Sequence, residues 1–326
     1  MPAYPCFIYR EGEHFTLPRE LRFTPPNLCE FALQDDSGRI IPHPQVFYET
    51  PNPDEAAFFL FPWDIGKFMD SGKSLAVEAV IASLPYLRGR ERRHIVCDDG
   101  DGVAISRSGL CLFKISLKEQ DRNEAVCSWY RLPAHVADDT PSFDWDAIRY
   151  DVSFVGNVTN VTRKAVALAV QRTEGLRSRI DFDDAFKVEG QYFYNRAKAE
   201  SALRGRQDLY RNIARMSFAV LCPPGVGPQS IRMYETMYLG RIPVIFGENT
   251  VYPLAGSVDY TSFCLRVASG DLLRAGERIR DWIGLQGRER LQEICVLACR
   301  TWNRYFTPEK KLPLLLEEAA RLWGLS

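Results

Sequence analysis

The residues best suited to chemistry in this sequence lie between positions 218 and 235, where an apolar run enters a Pro/Gly loop and then a helical pattern. Gly225 and Gly227 let the backbone approach a bound group closely. Ser230 is placed to cap the helix, whose free N–H groups and partial positive charge favour a diphosphate. Arg232 in the first turn adds a charge-assisted contact to phosphate oxygens. The segment therefore predicts a phosphate site.

Glu235 follows Arg232 by three residues on the same helix face, where it could accept hydrogen bonds from ribose or sugar hydroxyls. A glycine-rich turn alone also fits a plain strand–loop–helix connection, and this one is neither a Walker loop nor a G-x-G-x-x-G fingerprint. What favours a site is the next strand, Ile242–Phe246, because it would lie beside the first and bring residues 247–249 to the same sheet edge.

A second cation follows an earlier strand. Val152–Val155 leads into a turn at Gly156, and Arg163 then falls in the first turn of the next helix. Arg163 is a second candidate for stabilising a departing diphosphate, and Gly156 for the close approach of a ligand. An exposed arginine in a first helical turn is also a common surface feature.

Carboxylates that could act as a general base follow a strand of the first half. Asp98 and Asp99 end the run that begins at Arg93, and His94 lies behind them. The same residues also fit an acidic turn without chemistry, and His94 also fits a half-buried strand position.

Two D-x-D triplets, Asp99-Gly-Asp101 and Asp181-Phe-Asp183, could hold a divalent metal on a diphosphate. A helix N-terminus with arginines makes a metal unnecessary, so we expect no metal and no further cofactor. Three aromatic residues near N-terminal loops could line a sugar groove or belong to the core: Trp63, Trp129 and Tyr130.

Apolar runs and helical periodicity divide the chain into alternating elements. The predicted strands are Ala57–Phe61, Arg93–Cys97, Leu110–Leu117, Val152–Val155, Ser178–Phe182, Phe218–Cys222 and Ile242–Phe246. The predicted helices are Ser74–Leu87, Thr162–Thr173, Gln207–Arg215, Gln229–Leu239, Asp271–Ile283, Arg288–Tyr305 and Pro308–Trp323. This alternation predicts an α/β fold on parallel sheets, and at about 150 residues per domain the length favours two domains.

Composition narrows the function classes. The chain has 41 Lys+Arg against 42 Asp+Glu, a balance that argues against nucleic acid as a partner. We see neither a signal peptide nor a stretch that spans a membrane. The nine cysteines include no C-x-x-C pair, which favours a reducing compartment, and we expect a cytoplasmic protein.

The run from Leu221 to Glu248 (LCPPGVGPQSIRMYETMYLGRIPVIFGE) resembles the exostosin family of glycosyltransferases. That family has a strand, a CP-x-G loop, an S-x-R-x-x-E helix and a G-R-I-P-V-I strand in this order. Three further stretches are similar to segments of the family: Pro51–Pro62, Arg93–Asp98 and Val152–Gly156. The similarity extends from Pro51 to Leu272, although Arg93 stands where the family often has Asp before His.

The resemblance implies a GT-B-like fold, in which two doubly wound, Rossmann-like domains face each other across a cleft. Residues 1–145 would bind the acceptor, residues 146–306 the nucleotide-sugar donor, and helix 307–326 would pack back on the first domain. It also implies an inverting transferase that moves a sugar from a UDP-sugar to a glycan or other hydroxyl acceptor. The alternatives are a non-catalytic glycan-binding or partner subunit, and a sugar-nucleotide epimerase. The oligomeric state is left open.

Overall fold

The computed structural model describes residues 3–22, 28–100, 110–121, 126–129, 141, 143–157, 160–183, 196–225 and 227–324. Two parallel β-sheets organise these residues, one in each half of the chain, with a small antiparallel hairpin beside the first. The expected α/β class with two Rossmann-like domains is confirmed.

The N-terminal sheet has six strands in the order β4-β1-β5-β6-β7-β8, and all neighbours are parallel. Its strands are β1 (Tyr4–Ile8), β4 (Phe47–Glu49), β5 (Phe58–Asp64), β6 (His94–Asp98), β7 (Cys111–Ile115) and β8 (Val126–Trp129). The central strands are almost wholly buried, as expected when helices cover both faces of a parallel sheet. Strands β2 (Ala32–Gln34) and β3 (Ile40–Pro42) form the hairpin. The helices of this half are α1 (Arg19–Arg22), α2 (Gly66–Asp70) and α3 (Ser74–Ala82).

The C-terminal sheet has five parallel strands in the order β10-β9-β11-β12-β13. They are β9 (Tyr150–Asn157), β10 (Ser178–Asp183), β11 (Ser217–Cys222), β12 (Ile242–Phe246) and β13 (Leu265–Val267). The helices are α4 (Val161–Gln171), α5 (Arg196–Arg215), α6 (Ile231–Tyr238), α7 (Ala275–Tyr305) and α8 (Pro308–Trp323).

Helix α7 is kinked at Gly287, whose φ of 71° lies in the left-handed region that suits glycine. The kink separates the two helices expected on either side of it. Helix α8 then returns to the N-terminal half, where the ring of Trp323 meets that of Phe113 edge-on at 5.5 Å. The buried Lys311 ammonium also pairs with Glu30. The last helix thus contributes to the core of the first half.

Every strand expected from the sequence is present, but the sequence reading missed several short or weakly patterned elements. The first half contains five such strands beyond the expected ones, namely β1, β2, β3, β4 and β8, and the second half contains β13. Helix α5 begins at Arg196, whereas the sequence predicted a start at Gln207. The prediction missed the first turns because their polar, charged sequence has little apolar periodicity. The strand expected at residues 152–155 continues through Gly156 and Asn157.

Candidate functional site

The strand order of the C-terminal sheet fixes where a ligand can enter it. In a doubly wound sheet of order 2-1-3-4-5, the crevice lies beyond the carboxyl ends of the first and third strands, where the chain winds off in opposite directions. Here those strands are β9 and β11. Helix α4 begins after β9 and helix α6 after β11, so two helix N-termini meet at one point.

Asn160 caps the first of these helices, a role that the sequence reading did not assign. Its side-chain oxygen accepts a hydrogen bond from the backbone N–H of Arg163 at 2.8 Å. Its amide nitrogen donates to the carbonyl oxygens of Pro224, at 3.0 Å, and Gly225, at 2.7 Å. Asn160 therefore joins α4 to the CPPG loop, which we define as residues 222–225. The sequence signal that could have pointed to Asn160 is its residue type, because asparagine is a preferred N-cap residue and stands directly before α4.

Arg163 lies against the same loop. Its Nε donates to the carbonyl oxygen of Pro224 at 3.0 Å, and a Cβ on residue 225 would come within 3.1 Å of its guanidinium. Gly225 thus gives the arginine room, as a close-approach glycine does. Burial, and then the positive charge of Arg232, lower the pKa of Arg163. The structure therefore brings both predicted cations to one place.

Arg232, in the first turn of α6, is held by three neighbours. Its Nη1 lies 3.0 Å from the Glu235 carboxylate, and its guanidinium stacks at 3.9 Å over the ring of Tyr210 from α5. Its backbone carbonyl accepts a hydrogen bond from the Thr236 hydroxyl at 2.6 Å. Glu235 is 5% exposed, so its carboxylate faces the arginine rather than an open cleft. Glu235 thus holds the Arg232 guanidinium in place, and its expected contact with ribose or sugar hydroxyls stays a prediction.

The remaining predicted residues of this site have modest roles. Ser230 occupies the N-cap position of α6, but its hydroxyl makes no hydrogen bond to the helix backbone. Gly227 is buried in the bend just before it. Gly156 belongs to β9, paired with Phe182 of β10, rather than to a free turn. The helix N–H groups of α6 are consequently not satisfied by the Ser230 side chain.

The carboxyl edge of the N-terminal sheet carries carboxylates. Asp98 ends β6 fully buried, 3.1 Å from the Lys114 ammonium of β7, which also donates to the carbonyl oxygen of Gly100 at 2.5 Å. Asp64 ends β5, and its Oδ1 accepts from the backbone N–H groups of Gly66, at 2.8 Å, and Asp99, at 3.2 Å. We call Asp64, Asp98, Asp99 and Lys114 the carboxylate cluster.

Glycine at position 66 is needed for this arrangement, because a Cβ there would lie 2.7 Å from the carbonyl carbon of Asp99. Asp98 is committed to its lysine, whereas Asp99 is partly exposed on the turn. Of the two candidate bases, Asp99 is therefore the one whose side chain is partly exposed at this edge of the sheet.

His94 lies elsewhere, at the amino end of β6 and opposite the carboxylate cluster. Its ring is 1% exposed and stacks on Phe59 at 4.7 Å. Its Nδ1 faces the carbonyl oxygen of Arg90 at 2.8 Å and so carries the proton, while Nε2 accepts from the Tyr9 hydroxyl at 2.7 Å. Burial lowers the pKa of His94 to about 4. These contacts make it a core residue and separate it from the expected base position.

Backbone pairing joins the two halves near these edges. The N–H of Val251, after β12, donates to Leu117 after β7 at 2.9 Å, and the N–H of Glu119 donates to Asn249 at 3.0 Å. A cavity of about 480 Å³ opens here, lined by Glu119 from the first half and by the 248–261 segment and Arg266 from the second. Thr250 on its wall donates to the Pro228 carbonyl at 3.4 Å, which links the cavity to the loop before α6.

The described part of the chain contains no group of three or more His, Cys, Asp or Glu side chains placed to hold a metal. Asp181 of one D-x-D triplet pairs with Arg179 at 2.8 Å. Asp101 of the other triplet lies outside the described residues, as do Tyr130 and the Trp129 side chain. Trp63 is half-buried at the end of β5, packed against the core of the first half. No helix of the described residues combines the length and apolar character needed to cross a membrane.

The two sheets and the paired helix N-termini define a doubly wound α/β protein with a candidate anion site at its C-terminal switch point. Comparison of the sequence with family models matches residues 151–281 to the Exostosin GT47 domain. The resemblance to the exostosin family is thereby confirmed for this part of the chain, which contains every residue of that candidate site. No curated protein matches the chain significantly.

Solved structures with similar folds are distant. HepE of Anabaena, in complex with UDP, is 12% identical with a TM-score of 0.44, covering 83% of this chain and 79% of that one. AviGT4, a glycosyltransferase involved in avilamycin A biosynthesis, is 14% identical with a TM-score of 0.32, covering 78% and 79%. A TarM mutant of S. aureus, in complex with fondaparinux, α-GlcNAc-glycerol and UDP, is 11% identical with a TM-score of 0.37, covering 73% of this chain. The present chain spans 57% of the length of TarM.

Proposed function

We propose that this protein is an inverting glycosyltransferase that moves a sugar from a nucleotide diphosphate sugar, most simply a UDP-sugar, to a hydroxyl group of a glycan or similar acceptor. One observation carries the proposal: the N-termini of α4 and α6 meet at the switch point of a parallel sheet, with Arg163 of α4 hydrogen-bonded to the loop that leads to α6 and Arg232 in the first turn of α6. Two guanidinium groups and two helix N-termini make a cradle suited to a diphosphate.

In the proposed reaction, the bond between the anomeric carbon and the diphosphate oxygen breaks as the acceptor oxygen attacks from the opposite side. The negative charge that develops on the leaving diphosphate is stabilised by Arg163, Arg232 and the α6 N-terminus, which need no reorganisation during the step. Glu235 and Tyr210 keep the Arg232 guanidinium in place for this role. Gly225 and Gly227 let the backbone approach the phosphates, while Ser230 starts the helix.

The acceptor proton needs a base, and we assign this role to Asp99. Asp98 is an unsuitable base, since its buried carboxylate neutralises Lys114 and protonation would leave that ammonium without its counter-charge. Asp99 sits on the turn that this ion pair and Asp64 hold in place. It takes the proton as the acceptor oxygen bonds to the sugar.

The proposal extends to the parts of the chain. Residues 1–145 would supply the acceptor side and residues 146–306 the donor side, with helix 307–326 linking back to the first. No metal is needed for the leaving group in this scheme. The eight cysteines whose side chains the structure describes are all buried free thiols, which favours the reducing cytoplasmic setting inferred from the sequence.

A panel of UDP- and GDP-sugars tests the function directly. We expect one of them to raise the melting temperature of the protein and to be slowly hydrolysed, with release of the nucleoside diphosphate. Binding of a donor without hydrolysis or transfer to any acceptor would favour the non-catalytic alternative. Sugar interconversion without an acceptor would identify an epimerase, and failure of every donor to bind would refute the proposal.

A further inference from the structure

Asn160 does more in this site than cap a helix. We propose that it is a positioning residue which holds Arg163 against the CPPG loop, so that affinity for the diphosphate of the donor depends on the Asn160 amide. This inference rests on the proposed function, since it concerns the same site.

Both ends of the Asn160 amide have partners. Its oxygen accepts from the backbone of α4, and its nitrogen, which carries two hydrogens, lies within hydrogen-bonding distance of two carbonyl oxygens of the CPPG loop. Rotating the amide by half a turn would set its oxygen against two carbonyl oxygens and its nitrogen against an N–H group. The orientation is therefore fixed, and with it the distance between helix and loop.

Capping alone does not call for asparagine. Serine or aspartate would satisfy the first turn of α4 about as well. A serine hydroxyl has a single hydrogen, however, and an aspartate has none to donate. Only asparagine, among the good capping residues, can cap the helix and also donate twice to the loop.

The loop contact of Asn160 is shared with Arg163. The carbonyl oxygen of Pro224 accepts from the Asn160 amide and from the Nε of Arg163, each at 3.0 Å. Fixing that carbonyl therefore fixes the arginine, and the arginine's Nε is engaged by protein rather than by a ligand. The amide of Asn160 thus acts on a ligand through Arg163.

Charge explains why it is useful to hold Arg163 against the CPPG loop, an arrangement that we call the clamp. Arg163 and Arg232 repel each other, and this repulsion contributes to the lowered pKa of Arg163. Without the clamp, the Arg163 side chain would relieve the repulsion by turning towards solvent, at the expense of the paired arrangement that a diphosphate requires. A pre-formed pair binds its anion without that cost.

The test is a double-mutant cycle with Asn160→Ser and Arg163→Gln, measured by calorimetric titration with UDP. Serine keeps the cap and removes both donations to the loop. We expect Asn160→Ser to weaken UDP binding about tenfold, and to cause no further loss, within about twofold, when Arg163→Gln is already present. Uridine monophosphate serves as a second probe, and its affinity should change less, because a second phosphate is absent.

A purely structural role predicts a different result, in which the two substitutions weaken binding additively and both nucleotides are affected alike. Unchanged UDP affinity in Asn160→Ser, or such additivity, overturns the inference while leaving the proposed function standing. Failure of the wild-type protein to bind any nucleoside diphosphate overturns both. Melting curves without nucleotide report folding, and Asn160→Thr, an uncharged cap whose hydroxyl likewise has a single hydrogen, replaces Asn160→Ser if the latter fails to fold.

Discussion

The N-terminal and C-terminal sheets begin alike, since in each the first strand lies between the second and third strands of the sheet and all neighbours run parallel. Their carboxyl edges differ in chemistry. The C-terminal edge presents two helix N-termini and the cations Arg163 and Arg232. The N-terminal edge presents Asp64, Asp98 and Asp99, with Lys114 buried among them.

In the proposed function, the two edges have different tasks. The positively charged C-terminal edge suits the diphosphate, whose negative charge increases as it leaves the sugar. The N-terminal edge, with its carboxylates, suits removal of a proton from the acceptor hydroxyl. An ion pair sets a side chain in place at each edge: Glu235 holds the Arg232 guanidinium, and Asp98 pairs with Lys114 beneath the turn that carries Asp99.

Asp99→Asn should remove the proposed base and little else. We expect kcat to fall by roughly a hundredfold to ten-thousandfold, because a positioned general base contributes about that much, while UDP affinity stays within about twofold of wild type. Steady-state assays with an active donor and calorimetry with UDP measure the two quantities. A variant with wild-type turnover would move the base away from the N-terminal edge.

Lys114→Met should test the ion pair beneath that base. Removing the ammonium leaves the Asp98 carboxylate buried without its counter-charge, which costs about 3–5 kcal/mol of unfolding free energy. Denaturant unfolding measures this cost. The double variant Lys114→Met with Asp98→Asn is the matched control and should recover much of it, since neither charge then remains. Equal instability of the single and double variants would contradict the buried pair.

Arg163→Gln should weaken UDP binding roughly ten- to hundredfold, the value of a charge-assisted hydrogen bond, with little change in melting temperature. Arg172→Gln, an exposed arginine at the far end of α4, is the control and should leave affinity unchanged. Arg232→Ala is a less clean test of the site. It would also leave Glu235 buried without its cation and destabilise the fold.

His94 should affect stability in acid but not catalysis. Its pKa in the folded protein is lowered to about 4 by burial, so the unfolded chain takes up a proton first as the pH falls below about 6.5. The group's contribution is therefore complete above that pH and is lost towards pH 4, by about 2 kcal/mol between pH 7 and pH 5. Unfolding of His94→Gln at several pH values should lack this component, with kcat retained. A loss of kcat in this variant would contradict the core role and support a catalytic role for His94.

Continuous apolar runs made much of this fold predictable. Strands β5, β6, β7, β11 and β12 are buried along nearly their whole length, and such strands consist mostly of consecutive apolar residues. β1 was missed, although it pairs with a strand on each side and its last three residues are buried. Gly287 marks the break that divides α7.

The site was predictable in its residue types but not in its contacts. Arg163 and Arg232 were both named from their positions in first helical turns, and the structure brings them together. Asn160 was missed because its partners, Pro224 and Gly225, lie more than sixty residues further along the chain. The burial of Glu235 was equally hidden, since it depends on how α5 packs over α6.

A crystal structure with UDP tests the central claim most directly. The account predicts that the diphosphate lies between the guanidinium groups of Arg163 and Arg232, within hydrogen-bonding distance of the first N–H groups of α6. UDP bound anywhere else, such as the groove between α4 and α7 lined by Arg172 and Arg280, would contradict it.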